Sequence, residues 1–325
     1  MFNQKIAIDL GTTNTLVYDS KKGLVYNEPT VIAIDRKTKR CLTAGQEAKD
    51  MVGRTTDNIE AIHPLSQGVI SDFDSAQKLI EFLFKKIGIN RKSKPRVIIC
   101  APSGGSEVEK KAVEDVAYQS GAGKVTVVDE PIAAAIGSGL SIGEPVGRML
   151  VDIGGGTTDV AVISLGGIVL STSLKVAGND FDEAIIRYIR NSYNLLIGDK
   201  TAEKLKVTIG SLYPDEENKK ISITGRDLVS GLPKSIEISR NETVQVFKTV
   251  AGQIMDAILG VLEKTPGELA SDISLDGIML TGGGSMLTGM DQFIHEKTGV
   301  EIVKAKDPLA SVGLGLDIIA KQGIK

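Results

Sequence analysis

The chain has 325 residues, of which 42% are hydrophobic and 24% charged, and its net charge is −3. This length exceeds the usual size of one hydrophobic core, so we expect two lobes with a cleft between them. The chain has 38 basic and 41 acidic residues. Because there is no general positive field to recruit nucleic acid, no nucleic-acid partner is predicted.

Two further classes of protein are excluded by local sequence. No stretch approaches the roughly 20 apolar residues of a membrane-spanning helix, and Met1 to Lys5 is too short and too polar for a signal peptide. Cys41 and Cys100 stand far apart and the chain has only two histidines, so a paired metal-ligand spacing is missing. We therefore expect a cytoplasmic protein, free or peripheral at a membrane, with reduced thiols.

The first predicted element is a β-hairpin. Lys5 to Tyr18 contains two runs rich in β-branched residues joined by a polar turn, a pattern typical of two antiparallel strands. Gly, Thr and Asn residues dominate the turn, as turn chemistry requires. The tip of this hairpin carries the segment from Asp9 to Asn14.

Helical and strand-like patterns alternate after the hairpin. Asp74 to Ile87 has apolar residues at helical spacing, and Ser106 with Glu109 predicts a capping box at the start of a second helix. Strand-like runs from Arg96 to Cys100 and from Lys124 to Val128 flank that helix. This alternation predicts a largely parallel sheet with helices on its faces.

The hairpin then occurs a second time. Met149 to Val162 repeats the order strand, aspartate, Gly-Thr-Thr turn, strand, and the likeness continues beyond the turn at an offset of about 144 residues. A repeat of this length indicates a duplicated domain and not a solenoid. The sequence therefore predicts an α/β fold made of two homologous lobes.

The last third of the chain adds another glycine cluster. Gly282, Gly283 and Gly284 follow the apolar run from Gly277 to Leu280. Three short elements are predicted after them, which are a helix over Met286 to Thr298, a strand over Val300 to Lys304 and a closing helix over Pro308 to Ala320.

The two hairpin turns are candidate phosphate sites. Turns built from Gly, Thr and Asn can aim several backbone N–H groups and hydroxyls at one anion. The residues concerned are Gly11, Thr12, Thr13 and Asn14 in the first copy and Gly154, Gly155, Gly156 and Thr157 in the second. One such turn alone is also typical of an ordinary β-hairpin without a ligand. Two matching copies, by contrast, predict a clamp for a polyphosphate.

An aspartate precedes each turn. Asp9 and Asp152 end the first strand of their hairpins, and two carboxylates beside a phosphate chain suit Mg²⁺, which keeps most of its waters. The third cluster, Gly282 to Gly284, would let the backbone approach a nucleoside where side chains would obstruct it. Taken alone, three glycines are also typical of a flexible turn.

Together the three segments resemble the two phosphate motifs and the adenosine motif of the superfamily that contains actin, the heat-shock chaperone ATPases and sugar kinases. Within it the chain resembles MreB, the bacterial actin homologue, from end to end. The segments that carry the likeness are Asn27 to Val31, Gly45 to Lys49, Gly68 to Asp72, Glu130 to Gly137 and Leu269 to Ile273.

The resemblance implies an actin-like ATPase fold with four subdomains and a mixed five-stranded sheet in each lobe. Lobe I would comprise residues 1–145 and 318–325 with a small insertion at about 33–66, and lobe II residues 146–317 with an insertion at about 181–244. It further implies ATP or ADP with Mg²⁺ in the cleft.

The resemblance also implies catalytic and nucleotide-binding residues. Glu130 would orient the attacking water together with Thr157, and Asp152 would complete the catalytic set. A carboxylate at a helix start also complements the helix dipole, and both roles are compatible. Asp129 stands where the family usually has a second glutamate, which puts the hydrolysis rate in question.

Three residues outside the turns are implied to reach the nucleotide. These are Gly178, together with Glu203 and Lys206 in a segment that resembles the one reaching the nucleoside. For the last two, an ordinary solvated pair on a helix is the alternative.

Membrane contact is a separate prediction. The family resemblance implies attachment to the inner membrane surface, and the candidate loop is Ile87-Gly88-Ile89 with Lys92 and neighbouring cations, which could meet anionic lipid. A solvated charge run after a helix end explains the same pattern.

The function implied is that of an ATP-hydrolysing filament protein that determines bacterial cell shape. Its partners would be copies of itself, an anionic membrane surface, and cell-elongation or other cytoskeletal proteins. A monomeric chaperone-type ATPase and a small-molecule kinase share the fold; the kinase would need a base such as Asp180 or Asp182.

Overall fold

The computed structural model describes residues 4–89 and 93–323. The elements of the first half follow in chain order: β1 (Lys5–Leu10), β2 (Asn14–Asp19), β3 (Gly23–Pro29), β4 (Ile32–Asp35), β5 (Cys41–Ala44), α1 (Gln46–Met51), β6 (Ile59–Ile62), β7 (Leu65–Ser66), β8 (Val69–Ile70), α2 (Phe73–Lys86), β9 (Arg96–Ala101), α3 (Glu107–Gln119), β10 (Lys124–Asp129) and α4 (Glu130–Gly137).

The second half repeats this plan and ends in a helix. Its elements are β11 (Arg148–Ile153), β12 (Thr158–Ser164), β13 (Gly167–Leu174), α5 (Gly178–Tyr193), β14 (Leu195–Leu196), α6 (Asp199–Ile209), β15 (Lys220–Asp227), β16 (Pro233–Ser239), α7 (Arg240–Leu262), α8 (Gly267–Asp276), β17 (Ile278–Thr281), a 3-10 turn (Gly283–Met286), α9 (Met290–Thr298), β18 (Ile302–Lys304) and α10 (Ser311–Gln322).

Each lobe is built on a mixed five-stranded sheet. The strand order is β10-β9-β1-β2-β3 in the first and β13-β12-β11-β17-β18 in the second. In both sheets the first strand of the hairpin pairs antiparallel with the second, β1 with β2 and β11 with β12. On its other side the first strand pairs with a parallel strand, β1 with β9 and β11 with β17. The predicted duplication and the predicted mixed five-stranded sheet in each lobe are therefore confirmed.

Each lobe also carries a small sheet in the region where an insertion is predicted. Strands β5-β4-β6 form one and β14-β15-β16 the other. Helix α1 lies in the first of these regions and α6 in the second. The strand β4 begins at Ile32, one residue before the predicted insertion.

The lobes share a hydrophobic core around two helices. Helix α4 leads the chain from the sheet of lobe I into lobe II, and α10 brings it back. Side chains of both helices, such as Ala134 and Leu316, are fully buried in one cluster with Leu16 of the first sheet and Leu150 of the second. The predicted lobe boundary at residue 318 lies inside α10, which already packs in this shared core from Val312 onwards.

Helix α7 is long and apolar enough to cross a membrane by length and composition alone. In this fold it is the central helix of lobe II, since Phe247, Val250, Ile254 and Ile258 are buried in the same cluster as strands β11 and β12. We therefore assign it as a core helix.

Candidate functional site

The two glycine-rich turns face each other across the cleft. Each closes with a backbone hydrogen bond, from Gly11 N to Asn14 O at 3.1 Å and from Gly154 N to Thr157 O at 2.9 Å. A Cβ added to Gly155 would lie 1.8 Å from Thr13 Oγ1. The structure thus brings the two predicted phosphate turns into contact, and glycine is required at their meeting point.

A third turn holds this pair together. Gly68, between β7 and β8, donates its N–H to Thr12 Oγ1 at 2.9 Å. A Cβ on Gly68 would lie 2.7 Å from the Thr157 methyl carbon, and its φ of +77° is one that glycine adopts freely. Sequence reasoning missed Gly68 as a site residue, because nothing in the pattern links it to turns so distant in the chain.

The second turn is also supported by the start of α5. Gly178 N donates to Gly154 O at 3.0 Å and Asn179 N to Gly155 O at 2.8 Å. These bonds use the carbonyl groups of Gly154 and Gly155 and leave the N–H groups of Gly155 and Gly156 for other partners. The N-terminal end of a helix beside the turn also favours an anion.

One polar atom in the cleft fits a bound anion. Within the described residues, Thr13 Oγ1 is buried and has no hydrogen-bond partner. Buried polar groups are nearly always paired, so an orphan hydroxyl at the contact of the two turns suits a ligand with acceptor oxygens. A polyphosphate supplies such oxygens.

Four carboxyl groups gather beneath the turns. Burial raises the pKa of Asp9 to about 7 and that of Asp152 to about 8. Burial also raises the pKa of Asp159 to about 6, and the pKa of Glu130 lies well above its usual range because of burial and the three neighbouring aspartates. Such a cluster favours a cation, which would compensate the negative charges.

The geometry suits a cation held through water. Among residues 4–89 and 93–323, no group of three His, Cys, Asp or Glu side chains is placed to hold a metal ion directly. Mg²⁺ needs few protein ligands when phosphates and waters complete its shell. The acidic side chains present therefore fit the predicted Mg²⁺, which Asp9 and Asp152 would hold through water.

Asp159 was missed as a site residue. It pairs with Asp152 across the β11–β12 ladder, so both point to the same side of the sheet. The matching pair in the first hairpin is Asp9 and Leu16. The only sequence signal was this asymmetry between the two copies.

Glu130 begins α4 directly after the carboxyl end of β10 and is half-buried. Its neighbour Asp129 forms an ion pair of 2.7 Å with Lys110 on α3. The residue that departs from the family pattern is thus held by a helix of lobe I.

The third glycine cluster packs against the end of β11. A Cβ on Gly282 would lie 2.2 Å from Asp152 Oδ1, and its φ is +82°. A Cβ on Gly283 would lie 3.0 Å from the Leu309 side chain. Met286 ends the 3-10 turn that contains Gly283 and Gly284, and Leu309 lies against Gly283. Both are exposed large apolar side chains that suit a flat base, although sequence reasoning did not select them.

Glu203 and Lys206 occupy different parts of the cleft. Glu203 pairs with Lys49 of α1 at 2.9 Å, across the cleft mouth, and Lys200 pairs with Asp50 at 3.0 Å beside it. Lys206 donates to Gly178 O at 2.9 Å and pairs with Asp182 at 2.6 Å. Lys206 is therefore placed beside the second turn, while the Glu203 carboxylate joins the two lobes.

The candidate membrane loop has little exposed apolar surface in the part described. Ile89 is buried and Ile87 half-buried, and both pack on the core of lobe I. Lys92 lies outside the described residues.

Comparisons with known proteins agree along the whole chain. The model of the family described as MreB/Mbl protein matches residues 3–324. The cell shape-determining protein Mbl of Bacillus cereus is 45% identical over 320 residues, covering 98% of this chain and 96% of the relative. MreB of Escherichia coli K12 is 46% identical over 321 residues, covering 97% and 92%.

Solved structures give the same result. The crystal structure of Spiroplasma citri MreB5 bound to ADP has a TM-score of 0.93 and 42% identity, covering 98% of this chain and 96% of the other. The same protein bound to AMPPNP has a TM-score of 0.94, covering 99% and 97%. The MamK double helical filament, at 23% identity and a TM-score of 0.82, shares the fold.

Proposed function

The chain belongs to the MreB/Mbl protein family, and from this premise we propose that it is a bacterial cell-shape protein that binds and slowly hydrolyses MgATP and assembles with its own copies into filaments. The relatives named for cell shape cover nearly the whole chain. The MreB5 structures bound to ADP and AMPPNP support a nucleotide as ligand.

The observation that carries the nucleotide proposal is the contact of the two turns above three buried aspartates and the half-buried Glu130. Thr12, Thr13 and the N–H groups of both turns would bind the phosphates, and the third glycine cluster would take the base, with Met286 and Leu309 as apolar neighbours. When bound through Asp9, Asp152 and waters, Mg²⁺ would neutralise charge on the phosphates.

Glu130 is the proposed base. A carboxylate with a raised pKa accepts a proton at near-neutral pH more readily than an ordinary one. Together with Thr157 of the second turn, it would orient a water and take its proton during attack on the γ-phosphate. Glu130 is the first residue of α4, where a carboxylate complements the helix dipole.

Sedimentation combined with phosphate release tests the proposal. Wild type and Glu130→Gln are compared with ATP, with ADP and without nucleotide, and Glu107→Gln, an exposed glutamate of α3, is the control. Wild type and Glu130→Gln should both pellet with ATP. Phosphate release by Glu130→Gln should fall by about 100-fold, the usual contribution of a general base.

Two outcomes would contradict the proposal. Phosphate release unchanged in Glu130→Gln would remove this residue from catalysis. Intact release without pelleting under any condition would favour a monomeric ATPase of the same fold.

Attachment to an anionic inner membrane surface is proposed for the basic end of lobe I. The exposed Lys85 and Lys94 flank the candidate loop. A groove of about 560 Å³ beside it is lined by the cations Lys39, Arg40, Lys78 and Lys85. Each cation near anionic lipid contributes about 1 kcal/mol, so binding to phosphatidylglycerol vesicles that is no stronger than to phosphatidylcholine would refute it.

Both candidate bases of the kinase alternative already have partners within the protein. Asp180 accepts a hydrogen bond from Ala177 N at 2.7 Å, and Asp182 is paired with Lys206. Contact with cell-elongation or other cytoskeletal proteins stays a prediction.

A further inference from the structure

One carboxylate oxygen beside the second phosphate turn has no partner. The side chain of Asp182, in the first half of α5, is 14% exposed. Lys206 Nζ pairs with its Oδ2 at 2.6 Å, but within the described residues its Oδ1 is buried and accepts no hydrogen bond. Burial raises the pKa of Asp182 to about 6, and Lys206 opposes this rise. A charged acceptor kept from water without a donor costs free energy, so a ligand with a donor group at this place would be stabilised.

The same lysine fixes the place of this carboxylate. Lys206 Nζ also donates to Gly178 O at 2.9 Å, and Gly178 N donates to Gly154 O in the second phosphate turn at 3.0 Å. A single ammonium group therefore contacts both the Asp182 carboxylate and the residue that supports the turn. Asp182 thus lies beside the turn that would bind phosphates.

Helix α6 connects this place with the third glycine cluster. The helix ends three residues after Lys206, and a Cβ on Gly210 would lie 2.7 Å from the Leu287 side chain. Leu287 directly follows the 3-10 turn of the glycine cluster. Lys206 and Gly210 are about 6 Å apart along the helix axis. Over this short distance, α6 passes from the second phosphate turn to the proposed site of the base.

The ribose of a bound nucleotide would occupy this interval. The phosphates would lie at the two turns and the base at the third glycine cluster, so the sugar comes between them, beside α6 and the Asp182 carboxylate. Both ribose hydroxyls can donate, and a hydrogen bond from a hydroxyl to a carboxylate is stronger than one between neutral groups. A ribose hydroxyl is therefore a donor that suits the unpaired oxygen.

Neighbouring acidic side chains already have partners or reach water. Glu203 pairs with Lys49 across the cleft mouth at 2.9 Å, and Asp180 accepts a hydrogen bond from a backbone N–H at 2.7 Å. Glu183, the next residue of α5, has a side chain that is 67% exposed. Of these four carboxylates, Asp182 is the one with a buried oxygen that has no partner in the described chain.

From this geometry we infer that Asp182 accepts a hydrogen bond from a ribose hydroxyl of the bound nucleotide and thereby distinguishes ribonucleotides from deoxyribonucleotides. The inference rests on the proposed nucleotide site and names the residue that would determine its sugar specificity. A nucleotide that lacks the hydroxyl would leave the carboxylate oxygen buried and unpaired, and a site of this kind rejects such analogues strongly.

Binding of three diphosphates tests the inference. Isothermal titration calorimetry with Mg²⁺ compares ADP with deoxy-ADP and cordycepin diphosphate, which each lack one ribose hydroxyl. The wild type should bind ADP about tenfold or more tightly than at least one of these analogues, since a hydrogen bond to a charged group is lost. Asp182→Ala should bind ADP and that analogue within about twofold of each other. Glu183→Ala, which removes an exposed carboxylate from the same helix, should keep the wild-type ratio.

The ratio of the affinities separates this role from a structural one. If Asp182 only anchored Lys206, Asp182→Ala would weaken binding of all three ligands by the same factor, and an unchanged ratio would overturn the inference. Equal binding of the three ligands by the wild type would overturn it without any substitution, whether or not the variant folds well. A wild type that binds none of them would instead overturn the nucleotide proposal itself.

Discussion

At the scale of single residues, the buried carboxyl groups beneath the phosphate turns dominate the chemistry of the cleft. Asp9, Asp152 and Asp159 all have raised pKa values because burial disfavours their charged form. The folded protein without a bound cation therefore holds protons that the unfolded chain has lost. A site arranged for a ligand costs stability when the ligand is absent.

This cluster predicts how stability depends on pH. An aspartate with an unfolded pKa of 3.8 and a folded pKa of about 8, as for Asp152, keeps its proton only in the folded state between these values. The free energy of unfolding of the nucleotide-free protein should thus fall as pH rises through this window. Asp152→Asn should flatten the fall and, at pH 8, raise the free energy of unfolding on the order of 2 kcal/mol.

Thermal melts from pH 5.5 to 8 measure this effect. Asp256→Asn, on an exposed part of α7, controls for the loss of one negative charge. Parallel curves for wild type and Asp152→Asn would show that Asp152 is not protonated in the folded protein.

Site residues could be predicted where the sequence repeats itself. Asp9 and Asp152 stood out because both hairpins carry them, and the glycines because side chains would obstruct a ligand. Gly68, Asp159, Met286 and Leu309 had no such signal, since their roles depend on chain segments that only tertiary structure brings together. Lys49 as the partner of Glu203 is of the same kind.

At the scale of elements, the crossing of α4 and α10 allows no side chain at its centre. A Cβ on Gly315 would lie 1.8 Å from Ala133 O, and one on Gly137 would lie 1.8 Å from Ser311 O. The two helices that join the lobes therefore touch through their backbones. Gly315→Ala must separate them.

We expect Gly315→Ala to lower the free energy of unfolding by about 2 kcal/mol or more, the usual cost of overpacking. Gly252→Ala is the matched control, because no atom of residues 4–89 and 93–323 outside its own turns of helix lies within 4 Å of its added Cβ in α7. That control should stabilise the protein by about 0.5–1 kcal/mol through helix propensity. Denaturant unfolding measures both, and equal effects would contradict the close crossing.

Most elements followed from local pattern. The capping box of Ser106 and Glu109 is present, and the helix predicted from Asp74 spans Phe73–Lys86. The helix predicted over Met286 to Thr298 was wrong in its first turn: Gly283–Met286 is a 3-10 turn, and α9 starts at Met290 after Gly289 with φ +82°. The helical spacing of apolar residues continues between the 3-10 turn and α9, so periodicity alone could not locate the start of α9.

At the scale of the whole molecule, two ion pairs close the cleft mouth. Lys49 with Glu203 and Lys200 with Asp50 join α1 of lobe I to α6 of lobe II. Both pairs are partly exposed, so each is weak and sensitive to salt. Together they favour the closed arrangement of the lobes.

Removing both pairs should speed nucleotide release. Lys49→Met combined with Lys200→Met should raise the release rate of a fluorescent ATP analogue about two- to fivefold at low salt, and less at high salt. Lys204→Met, an exposed lysine on the same helix, should release at the wild-type rate. If the double variant also matched wild type, the pairs would not hold the cleft shut.

Helix α6 carries Glu203 at the mouth and, one turn later, Lys206 on the carbonyl oxygen of Gly178 behind the second phosphate turn. Helix α6 therefore couples the opening of the cleft mouth to the binding of the ligand at the second phosphate turn. Linkage of this kind is reciprocal. If opening the mouth weakens nucleotide binding by a given free energy, bound nucleotide disfavours opening of the mouth by the same free energy. A protein that binds both lobes from outside, and binds the open and closed arrangements with different affinity, would therefore change nucleotide exchange without touching the nucleotide.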